Sequence, residues 1–217
     1  MKRILFALLV GLCMGVPTTA AAAPISVMVG DADGFGLGCP NTAPAGTCVW
    51  PGPGQSGTNY DGRSAAEAAA TDGAQITDVY SAVFPGFGPN PSTADVLLPF
   101  IGTLTSGTVD FATGDLQSTA FGAMSVSING IAIAFSFDDG FQGTAIHSFL
   151  LDAAQLAAAN LAGMVILHID HANSSDFVAF DFFRLNADVV SAPEPATLLL
   201  LGVGLAGIAL SRRRTTG

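Results

Sequence analysis

The sequence predicts an all-β fold, a β-sandwich of the jelly-roll kind, flanked by two apolar chain ends. An Asn129-Gly130 pair separates two runs of alternating apolar and small residues, which is the strongest short-range signal for a β-hairpin. Further short apolar runs at 144–151, 164–170 and 177–185 are separated by Gly, Asn and Asp turn residues. Short strands separated by such turns are typical of sandwiches and jelly rolls.

The remaining elements are predicted from local patterns. Residues 30–75 are rich in loop formers, with one short helix over 64–70. The hairpin strands are 124–128 and 131–137, and residues 151–160 suit a short helix or helical loop. One face of the hairpin presents large apolar side chains to a core: Val126, Ile128, Ile131, Ile133, Phe135 and Phe137. The run 177–185 is apolar on both faces, as in a strand inside a sandwich.

Charge is distributed very unevenly along the 217 residues. The net charge is −10, from 7 basic and 17 acidic residues. Between residues 24 and 192 only Arg63 and Arg184 are basic against 16 acids, so that stretch carries 2 − 16 = −14. This balance argues against nucleic-acid binding, which needs a basic face. An anionic surface instead attracts cations.

The N-terminus has the pattern of a secretory signal peptide over residues 1–22. Lys2 and Arg3 precede an apolar run over 4–16, and small residues over 20–23 offer a cleavage site. Signal peptidase is expected to cut after Ala22. The extracytoplasmic domain is then predicted over 23–190.

The C-terminal residues 191–217 have three parts in order. Pro193-Glu194-Pro195 is followed by an apolar run over 196–210 and then by Arg212, Arg213 and Arg214. A 15-residue helix reaches about 22 Å, short of the ~30 Å bilayer core, but terminal arginines can snorkel. The pattern predicts a transmembrane helix that leaves the arginines in the cytoplasm and the acidic domain outside.

This tail resembles the PEP-CTERM sorting signal of Gram-negative bacteria that make extracellular polysaccharide. The Pro-Glu-Pro tripeptide, the apolar span and the arginine cluster each match the corresponding part of the family pattern, over about the last 25 residues. The resemblance implies recognition by exosortase, a membrane-embedded cysteine transpeptidase, while the chain is anchored in the inner membrane. Cleavage near the tripeptide would then deliver the domain to the cell envelope, the cell surface or the extracellular matrix.

Two cysteines remain after signal cleavage, Cys39 and Cys48. An even pair in an exported chain predicts a disulfide, here closing a surface loop rich in turn formers.

Two interpretations are open for the acidic residues where the first and last strands meet: a calcium site, or a plain Asp-Gly turn at 31–34 with Asp181 solvated or paired to Arg184. Asp31 and Asp33 with Gly34 place two carboxylates within reach of one hard cation, and Asp181 on the last strand is a candidate third ligand. Jelly-roll domains similar to carbohydrate-binding modules often carry a structural Ca²⁺ there. A buried Asp181 needs a partner, which Arg184 or a cation would supply.

No catalytic signature is found, so the favoured hypothesis is a non-enzymatic surface or matrix protein associated with exopolysaccharide. The alternative is a carbohydrate-binding or carbohydrate-active domain carrying the same sorting signal. Trp50 and Tyr60 are its candidate ligand-binding residues.

Overall fold

The computed structural model describes residues 21–35, 60, 61, 65, 77, 79, 80, 93–191 and 202. The chain divides into two compact units, one over 22–189 and one that combines 1–21 with 190–217. The β-sheets belong to the first unit, apart from the last residue of the final strand.

Ten strands and two helices lie in the described residues. The strands are β1 (Ala22–Gly30), β2 (Tyr60–Asp61), β3 (Val79–Tyr80), β4 (Thr93–Pro99), β5 (Thr103–Gly114), β6 (Ser125–Ile128), β7 (Ile131–Ile133), β8 (Thr144–Leu150), β9 (Met164–Asp170) and β10 (Ala179–Val190). The helices are α1 (Ser118–Phe121) and α2 (Ala153–Ala162). The prediction of an all-β class is confirmed.

Eight strands form two four-stranded sheets, and β2 pairs only with β3. The first sheet has the order β1-β10-β5-β8 and the second β4-β9-β6-β7. Numbered consecutively without β2 and β3, these orders are 1-8-3-6 and 2-7-4-5, the strand order of a jelly roll. Apolar side chains of both sheets form one core between them. The first and last strands are hydrogen-bonded neighbours, as the calcium hypothesis requires.

The predicted hairpin is confirmed, although its second strand is shorter than expected. Ile128 pairs with Ile131, and Asn129 and Gly130 make the turn with φ of +48° and +80°. Strand β7 ends at Ile133, so the prediction of a strand to residue 137 was wrong. The Phe137 N–H instead donates to Ser118 Oγ at 3.1 Å, which takes it out of the ladder.

Helix α2 lies at the end of the sandwich where β8 ends and β9 begins. Asp152 caps it, and Gln155 returns the hydrogen bond in a capping box. The Asn160 amide donates to the Leu104 carbonyl, and its oxygen accepts from the Leu104 N–H, which fixes the helix to β5. The predicted helix over 64–70 lies outside the described residues except for Ala65, which is helical.

Strand β10 is an interior strand with both faces buried over its first half, as the apolar run predicted. Its middle places Arg184 and Asn186 beside Asp110 of β5. Arg184 donates twice to Asp110 Oδ2, at 2.8 and 3.0 Å, and Asn186 donates to the same atom. Ser148 of β8 donates to the other oxygen, so one buried carboxylate links three strands.

Candidate functional site

Several predicted site residues lie outside the described part of the chain. They are Cys39, Cys48, Trp50 and the sorting residues Pro193, Glu194, Pro195, Arg212, Arg213 and Arg214. The disulfide and the loop-aromatic site therefore stay predictions. The backbone of Tyr60 is described and pairs with Tyr80.

The three carboxylates of the calcium hypothesis come together. One oxygen from each of Asp31, Asp33 and Asp181 lies within 4.8 Å of the others. Two oxygens bound to one Ca²⁺ at about 2.4 Å are separated by no more than ~4.8 Å, so this spacing fits a shared ion. Asp33 is exposed, Asp31 half-buried and Asp181 fully buried. The cluster thus runs from the surface into the start of β10.

Local packing holds Asp181 against the end of β1. The Phe35 N–H donates to Asp181 Oδ1 at 2.7 Å. Gly30 has a φ of +81°, and a Cβ there would lie 2.3 Å from the Asp181 carbonyl oxygen. Only glycine permits this close approach without a shift. Arg184, the alternative partner in the sequence analysis, instead binds Asp110 and lies 4.9 Å from the Phe182 ring centre.

A second site, which the sequence analysis did not predict, lies at the end of the sandwich opposite α2. It is a cavity of about 260 Å³ between the loops that follow β5, precede β8 and precede β10. We call it the Phe–Asp pocket. The described residues that line it are Asp115, Gln117, Phe121, Phe141, Ser175, Asp176 and Phe177.

Hydrogen bonds between the loops hold the Phe–Asp pocket in shape. The Asp115 N–H donates to the Gly143 carbonyl at 2.7 Å, and the Ser175 N–H donates to the Phe121 carbonyl at 2.9 Å. Asp115 and Gln142 have positive φ values of 63° and 58°, which are unusual for residues other than glycine. Each loop is thus fixed by another loop, so the pocket exists before any ligand binds.

Two buried carboxylates belong to the pocket wall. Asp115 is 1% and Asp176 3% exposed. Asp115 Oδ1 accepts the Gln142 N–H at 2.7 Å, and Asp176 Oδ2 accepts the Gln117 N–H at 2.6 Å. Burial raises the pKa of Asp176 from 3.8 to about 6, and the nearby charges of Asp115 and Asp138 add to the rise. Hydrogen bonds from the Gln117 and Phe177 N–H groups oppose this rise in the pKa.

The pocket phenylalanines are unusual because they are partly exposed. Phe121, Phe141 and Phe177 are 43%, 48% and 37% exposed, and every exposed phenylalanine in the described chain lines this pocket. None of the three was a candidate site residue in the sequence. Phe121 is the last residue of α1, and Phe141 lies in a turn after Gly140, outside any alternating run. A position outside a strand pattern was the available signal for these two residues, whereas Phe177 begins the apolar run 177–185.

None of the helices in the described residues is long and apolar enough to cross a bilayer. The predicted span over 196–210 lies outside those residues, apart from residue 202.

Comparison with known proteins identifies the class of the C-terminal region. Residues 191–214 match the family model of the PEP-CTERM protein-sorting motif. No curated protein matches the chain. Dimeric latent PorU from Porphyromonas gingivalis is structurally similar over 46% of this chain, with 19% identity and a TM-score of 0.32. The match spans only 10% of that protein, and it supports no functional argument.

The chain is thus an exported protein with a sorting sequence at its C-terminal end. That sequence is a PEP-CTERM motif, as the tripeptide and arginine cluster predicted, and it makes exosortase the processing partner. The motif implies sorting to the cell surface.

Proposed function

We propose that this protein is a non-enzymatic surface or matrix protein whose β-sandwich is released or transferred by exosortase and associates with extracellular polysaccharide. The match of residues 191–214 to the sorting motif is the observation that carries the proposal. The anionic composition supports it, because a domain of net charge −14 stays soluble and unaggregated outside the cell.

The order of the tail gives a physical reason for processing at this point. Pro193 and Pro195 lack backbone N–H groups and favour an extended chain. An extended segment just outside the membrane is a suitable substrate for a membrane-embedded protease, and Glu194 supplies a charge for recognition. The predicted span over 196–210 would present it there.

The proposal is tested by comparing cells with and without exosortase. Immunoblots of inner-membrane, envelope and medium fractions should show a shortened protein outside the inner membrane only when exosortase is present. Full-length protein that stays in the inner membrane is expected in its absence. The same size and location in both strains would contradict the proposal.

A carbohydrate-binding role is the second candidate, and the Phe–Asp pocket favours it. Aromatic rings and carboxylates are the groups that hold a sugar ring and its polar substituents. Trp50 and Tyr60 were the residues predicted from the sequence for such a site, whereas the described lining of the pocket provides phenylalanines and aspartates.

We also propose that Asp31, Asp33 and Asp181 bind one Ca²⁺. Calcium takes carboxylate oxygens readily, and their spacing accommodates it. Such an ion would join the chain just after β1 to β10, so it would stabilise the fold instead of taking part in catalysis.

A further inference from the structure

The end of the sandwich that carries α2 exposes large apolar side chains. We call it the α2 end; it comprises α2, the turn at 100–102, the end of β8 and the last residues of β10. Ile101, Leu161 and Leu150 lie there and are 94%, 91% and 76% exposed. No other large apolar residue of the described chain is more than 48% exposed. Single exposed apolar residues are ordinary, but three at one end of a domain indicate a contact surface.

Hydrogen bonds place these segments at the same end. Asn160 fixes α2 to the start of β5, as described above. Thr105 Oγ1, also at the start of β5, donates to the Asp188 carbonyl near the end of β10 at 3.2 Å. The Leu151 N–H, just after β8, donates to the Gly107 carbonyl at 2.9 Å. Helix α2 and the ends of β8 and β10 therefore all lie beside the start of β5.

The polarity of helix α2 is the reverse of that of an ordinary surface helix. Its polar side chains are used inside the protein, because Gln155 is buried in the capping box and Asn160 binds β5. Its exposed residues are all apolar: Ala153, Ala154, Ala157, Leu161 and Ala162. A helix that faces water normally exposes charged or polar residues. The exposed face of α2 is therefore suited to an apolar partner.

The α2 end is also nearly uncharged in a strongly acidic protein. Only Asp152 and Asp188 carry charge in the segments that form it, 97–107, 149–167 and 187–191. The opposite end and its loops contain most of the described acids: Asp31, Asp33, Asp115, Asp138, Asp139, Asp170, Asp176 and Asp181. Anionic lipid headgroups repel acidic side chains. The domain can therefore approach a membrane at the least electrostatic cost with its α2 end.

The chain leaves the sandwich at this end. Strand β10 ends at Val190, and only residues 191–195 separate it from the predicted span over 196–210. Five extended residues reach at most about 18 Å. That distance is shorter than the ~30 Å diameter of a small domain. While the span is in the bilayer, the α2 end is therefore the part of the sandwich that can touch the membrane.

The start of β1 lies at the α2 end as well. Ser26 Oγ donates to Asn186 Oδ1 at 2.9 Å, and Gly30 approaches the Asp181 carbonyl, so β1 runs antiparallel to β10. Ala22, the first residue of β1, then lies toward the end of β10. The predicted signal peptide and the predicted span would thus both join the sandwich at the end with the exposed apolar side chains.

We propose that the α2 end docks on the outer surface of the inner membrane while the chain is anchored, with Ile101, Leu150 and Leu161 inserted among the lipid acyl chains. Apolar groups of interfacial segments commonly enter the headgroup and acyl boundary by ~5–10 Å. This inference rests on the anchored stage of the proposed function, and it names the partner of this surface. A second copy is the poorer fit, because two sandwiches joined through their α2 ends would direct their spans apart. Linkers of five residues could not return both spans to one bilayer.

The test is quenching of tryptophan fluorescence by lipids brominated near the upper end of their acyl chains. The full chain is reconstituted in phosphatidylcholine vesicles with and without bromine. A tryptophan is introduced by Leu161→Trp, or at the opposite end by Phe141→Trp, and the wild-type chain gives the baseline from Trp50. The fluorescence added by Leu161→Trp should fall by about half in brominated vesicles, because bromine quenches only at close range. The fluorescence added by Phe141→Trp should not change.

Matched variants connect the quenching with the apolar surface. Ile101→Ser with Leu150→Ser should reduce the quenching measured at Leu161→Trp at least twofold. Phe121→Ser with Phe141→Ser makes the same kind of change at the opposite end and should leave that quenching unaltered. Ile101 and Leu150 are mostly exposed, so serine at both positions should preserve the fold. Melting curves check that each variant is folded.

Three results would overturn the inference alone. Absence of quenching at Leu161→Trp, in a chain that floats with the vesicles, would show that this end does not enter the bilayer. Equal quenching at Leu161→Trp and Phe141→Trp would show that the sandwich has no preferred orientation. A wild-type dimer in detergent that Ile101→Ser with Leu150→Ser dissociates would assign the α2 end to a second copy.

The vesicle measurement uses no exosortase, so its failure is distinguishable from failure of the sorting proposal. Any of those three results, with normal exosortase-dependent processing in cells, would leave sorting standing. Processing that ignores exosortase would refute sorting and leave a measured quenching intact. A chain that does not float with the vesicles would refute both the anchored stage and the docking.

Discussion

The charge of Asp176 should lower the free energy of unfolding at neutral pH, so Asp176→Asn should make the folded protein more stable. Its pKa of about 6 in the folded state exceeds the 3.8 expected in the unfolded chain. The two pKa values differ by about 2, and each pH unit is worth about 1.36 kcal/mol, so the difference lowers the free energy of unfolding at neutral pH by about 3 kcal/mol. Between pH 4 and 6 the folded state binds the proton more tightly, so the free energy of unfolding falls as the pH rises.

The asparagine side chain removes the buried charge and keeps an oxygen for the Gln117 N–H, but the Phe177 N–H, which also donates to this carboxylate, can lose its acceptor. We therefore expect a melting temperature higher at pH 7 by up to about 6–12 °C, at about 2–4 °C per kcal/mol for a domain of this size. At pH 3.5 the aspartate is protonated in the folded state and mostly protonated in the unfolded chain, so wild type and variant should melt at nearly the same temperature. Circular dichroism at the two pH values measures this difference.

Asp188→Asn is the matched control, because Asp188 is exposed and asparagine keeps an oxygen that can accept its hydrogen bond from Ser106 Oγ, so the change should alter neither melting temperature appreciably. A variant no more stable than wild type at pH 7 would refute the reasoning about burial. Equal stabilisation at pH 7 and pH 3.5 would also refute it, because the effect would then not depend on charge.

Three further predictions follow from other parts of the chain. Ca²⁺ at 100 times its Kd should add about 2.7 kcal/mol to the free energy of unfolding relative to a chelator, which raises the melting temperature by about 5–10 °C. Asp33→Asn should abolish this rise. A wild-type melting temperature that does not change with Ca²⁺ would refute the ion site. Asp110→Ala should lower the free energy of unfolding, measured in urea, by about 2–3 kcal/mol, because Arg184, Asn186 and Ser148 all lose their acceptor. A decrease below about 0.5 kcal/mol would contradict this. Cys39 and Cys48 should resist thiol labelling in denatured, non-reduced mature protein, and stoichiometric labelling of both would exclude the disulfide.

Local sequence signals predicted the elements whose information lies within a few residues. The Asn129-Gly130 turn needs positive φ at both positions, which few residue pairs tolerate, so the hairpin was readable. The strand over 164–170 was predicted from its short apolar run between turn residues, and its bounds match β9. The meeting of Asp31 and Asp33 with Asp181 was also foreseeable, because it required only that the first and last strands pair.

The Phe–Asp pocket could not be predicted in the same way. Its residues come from three loops separated by up to 62 positions, from Asp115 to Phe177, and no spacing in the sequence relates them. Likewise, the sequence around Arg184 does not show which aspartate it pairs with. Asp181 was considered as its partner, but the structure pairs it with Asp110. Partner choice depends on strand order and register, which appear only when the chain is folded.

Sorting through the C-terminal motif is the central claim, and substitution of Pro193, Glu194 and Pro195 by alanine tests it most directly. Thr215→Ala with Thr216→Ala is the matched control, because both residues lie beyond the matched region 191–214. We expect the triple variant to remain full length after signal cleavage and to fractionate with the inner membrane, while the control is processed like wild type. A triple variant of wild-type size, found where wild type is found, would contradict the account.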